Sequence, residues 1–327
     1  MKFFITILII GLLALACTEM NNADRRFENL ANNYIEKLLE LNPEMATSLG
    51  DHRYDNRMDD YSMAGFRNNL ELHRQYLDSL RAIDFDQMTV TNRIDARILE
   101  NSLSYSVFQL DTLRAHEWNP LVYNIGNGIY SLLSRDFAPL KSRLINIKDR
   151  LQDVPEVLEN AKRNLGNPPL VHTETAILQN RGNISLIEND LNHFLEDVPE
   201  LEAEFKPVQE RAIAALQLYG EWLEKELLPR SDGNFRLGED KYRRKLVYSL
   251  ESDYPKEKIL KKAEQDLKDT QQEMYETAAK LFADLYPGKK PDSKNTNHKV
   301  IIKAVLDKLA ENHPTNENIV EMARESL

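Results

Sequence analysis

The chain has 327 residues and a formal net charge of −11 at pH 7, from 53 acidic and 42 basic side chains. This balance, with no basic cluster, is not that of a nucleic-acid-binding protein, so we expect no nucleic-acid partner. A composition of 42% hydrophobic and 29% charged residues indicates a globular chain that is long enough to bury a large core. Its single cysteine excludes an intramolecular disulfide and a thiolate zinc cage.

The first predicted element is an export signal at residues 1–16. The apolar run 3–16 is too short for a spanning helix, which needs about 20 residues, but it is typical of a signal peptide. Residues 14–17, Ala-Leu-Ala-Cys, resemble the bacterial lipobox, in which the cysteine is acylated. We therefore expect Cys17 to be the lipid attachment site and residues 17–23 to be a short tether. Ordinary signal-peptidase cleavage before the cysteine, giving a soluble periplasmic protein, is the alternative.

The remaining chain is predicted to be all-α. Apolar residues recur at helical spacing in long segments that the 11 Gly and 13 Pro separate. We predict a multi-helix domain rich in helical hairpins over residues 24–286, a polar linker at 287–297 and a further helical segment at 298–327. The last segment ends on an apolar-faced helix without a stop signal, so we expect it to be truncated.

Several helix ends can be predicted from local signals. Pro43 should end the first helix at the preceding residues, and Ser62 should cap a later one. Loop 51–61 carries several acidic residues, which we interpret as a solvated surface. Gly126 and Gly128 are expected to loosen the segment that contains them.

Two near-identical segments, Leu-Gln-Asp-Val-Pro-Glu at residues 151–156 and Leu-Glu-Asp-Val-Pro-Glu at 195–200, are predicted as helix starts. In each, the Asp can cap free amides and the Pro stands where its missing N–H costs nothing. Their spacing is compatible with a helical repeat, or with a hairpin length that recurs by chance.

Three segments carry a family resemblance: residues 42–55 (NPEMATSLGDHRYD), 118–123 (WNPLVY) and 235–242 (FRLGEDKY). They resemble the exported bacterial family called domain of unknown function 885. The resemblance implies a lobe like the N-terminal part of thimet oligopeptidase-like or carboxypeptidase Taq-like zinc metallopeptidases. It also implies that Trp118, Tyr123, Arg236 and Tyr242 lie near a substrate cleft. From the residues alone, packing at a helix break explains these positions equally well.

The zinc site implied by the resemblance is a His-Glu helix in a C-terminal half that this chain does not contain. No two of the seven histidines are four or five residues apart. The only His-Glu dipeptide is His116-Glu117, and Pro120 stands where the second histidine of the motif would be. We therefore expect no metal or catalytic group in this chain, and zinc only where the C-terminal half exists.

The sequence thus predicts the cleft-forming, N-terminal helical part of a zinc-metallopeptidase-like envelope lipoprotein, inactive alone. The alternatives are a non-enzymatic helical lipoprotein that binds a peptide or envelope component, and a purely structural module. The expected partners are the membrane, through the lipid anchor, and a peptide. We expect the protein to lie in the cell envelope, at the outer membrane or facing the periplasm. Thr18 after the cysteine favours the outer membrane.

Overall fold

A computed structural model describes residues 22–288 and 298–326 of the chain. The predicted signal peptide, Cys17 and most of the predicted linker lie outside the described residues. Within them the structure is helical and contains no strand, which confirms the all-α prediction. The α-helices in chain order are α1 Asn22–Leu41, α2 Pro43–Leu49, α3 Met63–Arg81, α4 Val90–Val107, α5 Gly126–Ser134, α6 Leu140–Asn164, α7 Leu170–Ser185, α8 Leu191–Leu195, α9 Glu202–Trp222, α10 Glu239–Leu250, α11 Lys256–Leu285, α12 His298–Leu309 and α13 Ile319–Glu325.

The described chain divides into two compact units, the first ending at Ser252 and the second beginning at Asp253. This division lies before the predicted linker at 287–297. In the first unit, α6 packs along α9. The helical spacing of their apolar residues places one buried face of each helix against the other. These faces are formed by Leu144, Ile147, Leu151, Val154, Phe205, Ala212 and Leu216.

The first unit has a second apolar cluster, formed by α1, α3 and α4. Its buried side chains include Phe27, Tyr34, Leu72, Leu77, Leu80 and Leu103. We call this the N-terminal cluster and the one around α6 and α9 the central cluster. In the second unit, Ala278 and Phe282 of α11 pack on Ile301 and Val305 of α12. Among residues 22–288 and 298–326, no helix is both long and apolar enough to cross a bilayer.

The helix ends near the N-terminus follow the predicted local signals. α1 ends at Leu41, directly before Asn42 and Pro43. The Ser62 hydroxyl accepts a hydrogen bond from the Gly65 N–H at 3.1 Å and so caps α3. Gly50 ends α2 with a φ of 89°, a left-handed conformation that glycine adopts without strain. The predictions for Pro43 and Ser62 are confirmed.

The prediction that residues 151–156 begin a helix is wrong. Pro155 lies inside α6, which runs unbroken from Leu140 to Asn164. An interior proline costs about 3 kcal/mol, but Val154, Val157 and Leu158 are buried in the central cluster. Burial of each such side chain contributes about 1.5–3 kcal/mol, so packing outweighs the local cost. The second copy does precede a helix, with Pro199 opening a 3₁₀ turn before α9.

The prediction that Gly126 and Gly128 loosen their segment is also wrong. Both lie in α5, and Gly128 is buried. A Cβ at Gly128 would come within 3.1 Å of Cδ of Glu44. The missing side chain therefore allows α2 and α5 to approach closely, rather than making the segment mobile.

Candidate functional site

A cavity of about 530 Å³ lies in the first unit, between the N-terminal cluster and the central cluster. Helices α1, α3 and α4 form one side, and the segments after α2 and α4 form the other. Aromatic rings, two histidines, two aspartates, and amide and hydroxyl groups line it, and no Lys or Arg is among the described lining residues. The polar and aromatic lining residues are Tyr34, Asn42, Asp59, Asp60, Tyr61, Phe66, Asn69, His73, Ser102, Ser106, Gln109 and His116.

Both histidines of the cavity are held in a neutral form. His73 is buried, and its Nδ1 is 3.1 Å from the Tyr34 hydroxyl. Burial lowers the pKa of His73 to about 4. His116 is also buried and stacks on Phe66, with ring centroids 4.3 Å apart. Burial lowers the pKa of His116 as well. Neither imidazole therefore supplies a positive charge to the cavity at neutral pH.

A buried polar network adjoins this cavity and joins α2 to α6. Arg150 of α6 is fully buried. Its Nη1 donates to the Gly128 carbonyl at 2.5 Å and its Nη2 to the Thr47 hydroxyl at 2.6 Å. Burial lowers the pKa of Arg150, and the negative charges of Glu44, Asp55 and Asp59 oppose this effect. The network thus places the buried guanidinium of Arg150 among the carboxyl groups of Glu44, Asp55 and Asp59.

Glu44 and Asp59 form the part of the network that reaches the cavity. The Glu44 N–H donates to Oδ1 of Asp59 at 3.0 Å, and the Asp59 N–H donates to Oε1 of Glu44 at 3.4 Å. The Tyr61 hydroxyl lies 3.2 and 3.1 Å from the two carboxyl oxygens of Glu44. Burial, together with the charge of Asp59, raises the pKa of Glu44 to about 7. Burial also raises the pKa of Asp59. Burial therefore extends the pH range over which each of these carboxyl groups is protonated to higher pH.

The interpretation of loop 51–61 as a solvated acidic surface is wrong for Asp55 and Asp59. Asp55 is only 2% exposed, and its two carboxyl oxygens contact the Thr47 hydroxyl at 2.6 Å and Nδ1 of His52 at 2.9 Å. The loop folds inward because α2 and Arg150 offer these carboxylates partners that a surface position would not. Asp60 remains exposed, where its Oδ1 accepts from the Ser62 N–H at 2.9 Å.

None of the four residues that the family resemblance placed near a cleft lines the cavity. The Trp118 indole donates to the Leu113 carbonyl at 2.8 Å and lies beside His172. Tyr123 is buried, and its hydroxyl donates to the His116 carbonyl at 2.5 Å. Arg236 and Tyr242 are exposed, with the Arg236 guanidinium over the neighbouring Phe235 ring. The cleft role of these four residues stays a prediction.

The sequence analysis missed Glu44 and Arg150. Glu44 lies within the 42–55 segment that carries the family resemblance, although nothing in its own pattern marks it as buried. Arg150 had a local signal, because it falls on the helical face that Ile147 and Val154 define, where a charged residue is out of place. Across the described parts of the chain, no three His, Cys, Asp or Glu side chains are grouped so that they could hold a metal ion.

Residues 43–327 match the family described as bacterial protein of unknown function (DUF885). The chain belongs to this family. The chain is similar to the solved structure of a candidate lipoprotein of unknown function from Shewanella oneidensis, with a TM-score of 0.74 and 27% sequence identity. The match covers 91% of this chain and 55% of that one, so the DUF885 chain spans about half the length of its solved relative. Among proteins with curated descriptions, none matches.

Proposed function

We propose that the first unit is a ligand-binding domain of an envelope protein and that its cavity takes a short peptide or peptide-like molecule. The observation that carries this proposal is the cavity itself. Its volume of about 530 Å³ lies within the range of about 300–1,000 Å³ that is usual for small-molecule sites. Aromatic rings beside a few polar groups are the lining expected of such a site.

The polar groups of the cavity suit a ligand that carries amide bonds. The side chains of Ser102, Ser106 and Gln109 line the cavity, and no described residue forms a hydrogen bond with them. A peptide backbone supplies both donors and acceptors to such groups. The rings of Tyr34, Tyr61 and Phe66 offer apolar area for a side chain of the ligand.

The envelope location is part of the proposal. The solved relative from Shewanella oneidensis is described as a candidate lipoprotein, and in this chain the proposed anchor is an acyl group on Cys17. Two or more acyl chains, at about 0.8 kcal/mol per buried methylene, would hold the domain at a membrane surface. The helical domain would then meet its ligand in the aqueous part of the envelope.

A second candidate function follows from the length of the solved relative. Because this chain covers only 55% of that protein, the sequence suits the helical, cleft-forming part of a longer zinc-metallopeptidase-like protein. In this proposal the zinc ligands belong to a C-terminal half beyond these 327 residues, Trp118, Tyr123, Arg236 and Tyr242 face the completed cleft, and the chain alone is inactive. The non-catalytic binding proposal requires no further chain.

Isothermal titration of the full chain with short peptides tests the binding proposal. Ser106→Trp places a large ring in the cavity, and Ser79→Trp, on the exposed side of α3, is the matched control. We expect saturable binding that S106W abolishes and S79W retains. Absence of binding to any short peptide, or full binding by S106W, would refute the proposal. Zinc analysis and a peptidase assay of the same sample test the second candidate, since stoichiometric zinc with turnover would contradict it.

A further inference from the structure

We propose that the cavity selects ligands that carry a primary ammonium group beside an apolar or aromatic group, and that the carboxylate of Asp59 holds the ammonium. This inference rests on the proposed function, because it names the class of ligand that the same cavity takes. The N-terminus of a peptide and a free arylalkyl amine share this chemistry.

Asp59 is the less exposed of the two aspartates that line the cavity, and one of its carboxyl oxygens is free. Its Oδ1 accepts the Glu44 N–H at 3.0 Å, and no described residue donates to its Oδ2. Asp60, the other lining aspartate, uses its Oδ1 in the turn before α3 and is exposed. A partly buried carboxylate with a free oxygen is well suited to a charge-assisted hydrogen bond from an ammonium.

The cavity offers Asp59 no cation of its own. Its described lining has no Lys or Arg, and both His73 and His116 are kept neutral by burial. The charges of Arg150 and Arg57 act on Asp59, but neither residue lines the cavity, and the two Nη atoms of Arg150 are engaged by Gly128 and Thr47. A ligand cation therefore meets a carboxylate at a wall that has no lining Lys or Arg, which favours it over an anion or a neutral group.

Aromatic rings around the cavity add to this preference. Tyr34, Tyr61 and Phe66 all line it. An ammonium within about 6 Å of such a ring gains roughly 0.5–2 kcal/mol, most when it is desolvated. The same rings accept the apolar part of the ligand. This combination favours an amine that adjoins an aromatic or aliphatic group over a bare inorganic cation.

Ammonium binding at Asp59 should also release a proton from Glu44. The ionised forms of these two carboxyl groups repel each other. A cation bound at Asp59 reduces this repulsion and so favours the ionised form of Glu44. The titratable or charged groups that face the pair are Tyr61 from the same loop, Arg150 from α6 and Arg57, which acts on Asp59. Because the pKa of Glu44 is about 7, the cation should bind more tightly as the pH rises from about 6 to about 8.

Calorimetry on the full chain with three probes tests this inference: the dipeptide phenylalanyl-leucine, its N-acetyl derivative and phenethylamine. We expect the free dipeptide to bind about tenfold more tightly than the acetylated one. Phenethylamine tells the two sources apart, since it should bind as tightly as the dipeptide if the amine alone is recognised, and more weakly if the peptide backbone contributes. Asp59→Asn should bring the two dipeptides to equal affinity, whereas Asp60→Asn should keep the preference.

The variants also separate the possible failures. Asp59→Asn keeps an oxygen for the Glu44 N–H, so it should retain the wild-type circular dichroism. The pH dependence is measured with phenethylamine, because an alkylammonium stays protonated between about pH 6 and 8, whereas a peptide α-amino group titrates there. Glu44→Gln should remove the pH dependence of phenethylamine binding, and His52→Gln, on the Asp55 side of the network, should leave it unchanged. Equal binding of the free and acetylated dipeptides by the wild-type chain, or an undiminished preference in D59N, would overturn the inference and leave the proposed function standing. Failure of every probe to bind would overturn both.

Discussion

Substitution of Arg150 by Met should destabilise the first unit strongly and in a pH-dependent way. The side chain is fully buried, and Met replaces its aliphatic stem but not its guanidinium group. The change leaves the Gly128 carbonyl and the Thr47 hydroxyl without their buried donor, and it removes the cation that faces Glu44 and Asp59. Removing one partner from a buried charged network costs about 3–5 kcal/mol. The variant no longer buries a charged guanidinium, which offsets part of this cost. We therefore expect the free energy of unfolding to fall by about 3 kcal/mol at about pH 8.

The pH dependence follows from the carboxyl groups that remain. Without Arg150 the pKa values of Glu44 and Asp59 in the folded state rise further above those of the unfolded chain. A raised folded-state pKa contributes stability that is present at low pH and lost as the pH rises through it. The loss in R150M should therefore be clearly smaller at about pH 5.5 than at about pH 8.

Urea unfolding followed by tryptophan fluorescence measures this effect, because Trp118 and Trp222 both lie in the first unit. Arg143→Met is the matched control. Arg143 is also buried, but it donates mainly to backbone carbonyls, including those of Leu132 and Leu133, so its loss should be equal at both pH values. A loss below about 1 kcal/mol for R150M at pH 8, or the same loss at both pH values, would refute the reasoning.

Three further predictions follow from neighbouring features. Glu44→Gln should stabilise the protein by about 2 kcal/mol at about pH 8 and by little at about pH 5, because the pKa near 7 means that ionised Glu44 disfavours the folded state; urea midpoints at the two pH values check it, and equal midpoints contradict it. Gly182→Ala should raise the free energy of unfolding by roughly 0.5–1 kcal/mol, because a Cβ at this position meets no other atom. Gly128→Ala should give no such gain, because its Cβ would crowd the Glu44 side chain. Equal gains in thermal unfolding would be inconsistent with the close approach of α2 and α5. Tyr219→Phe should leave the free energy of unfolding nearly unchanged, because no described residue forms a hydrogen bond with its buried hydroxyl. Tyr123→Phe should lower it by roughly 1–3 kcal/mol, because the His116 carbonyl loses its hydrogen-bond donor. Similar losses for both variants in urea unfolding would contradict these two hydrogen-bonding states.

The helices could be predicted from the sequence because their signals are local. The stripe of apolar residues that begins at Phe27 and the proline at 43 act within a few residues of each other, and the structure places the end of α1 where they indicate. Pro155 shows the limit of this reasoning. Its neighbours look like a helix start, but burial against α9 decides the conformation, and α9 is separated from it by about fifty residues.

The polar network could not be predicted, because its members look like surface residues when each is taken alone. Glu44 and Asp59 lie on a short helix and an acidic loop, and Arg150 follows about a hundred residues later. Only the fold brings them together, and only their shared burial raises the pKa values of the two carboxyl groups. An arginine on a largely apolar helical face was the clue that the sequence offered.

The position of the cavity between two separate apolar clusters has a consequence for how the first unit opens. Each cluster holds its own helices together, α1, α3 and α4 in one case and α6 and α9 in the other. Such clusters often behave as distinct cooperative units in native-state hydrogen exchange. Amides of the N-terminal helices should therefore exchange through an opening that leaves α6 and α9 protected. A ligand that contacts both walls of the cavity would couple the opening of the two clusters. Amide exchange in the less stable cluster would then slow, even at amides far from the ligand.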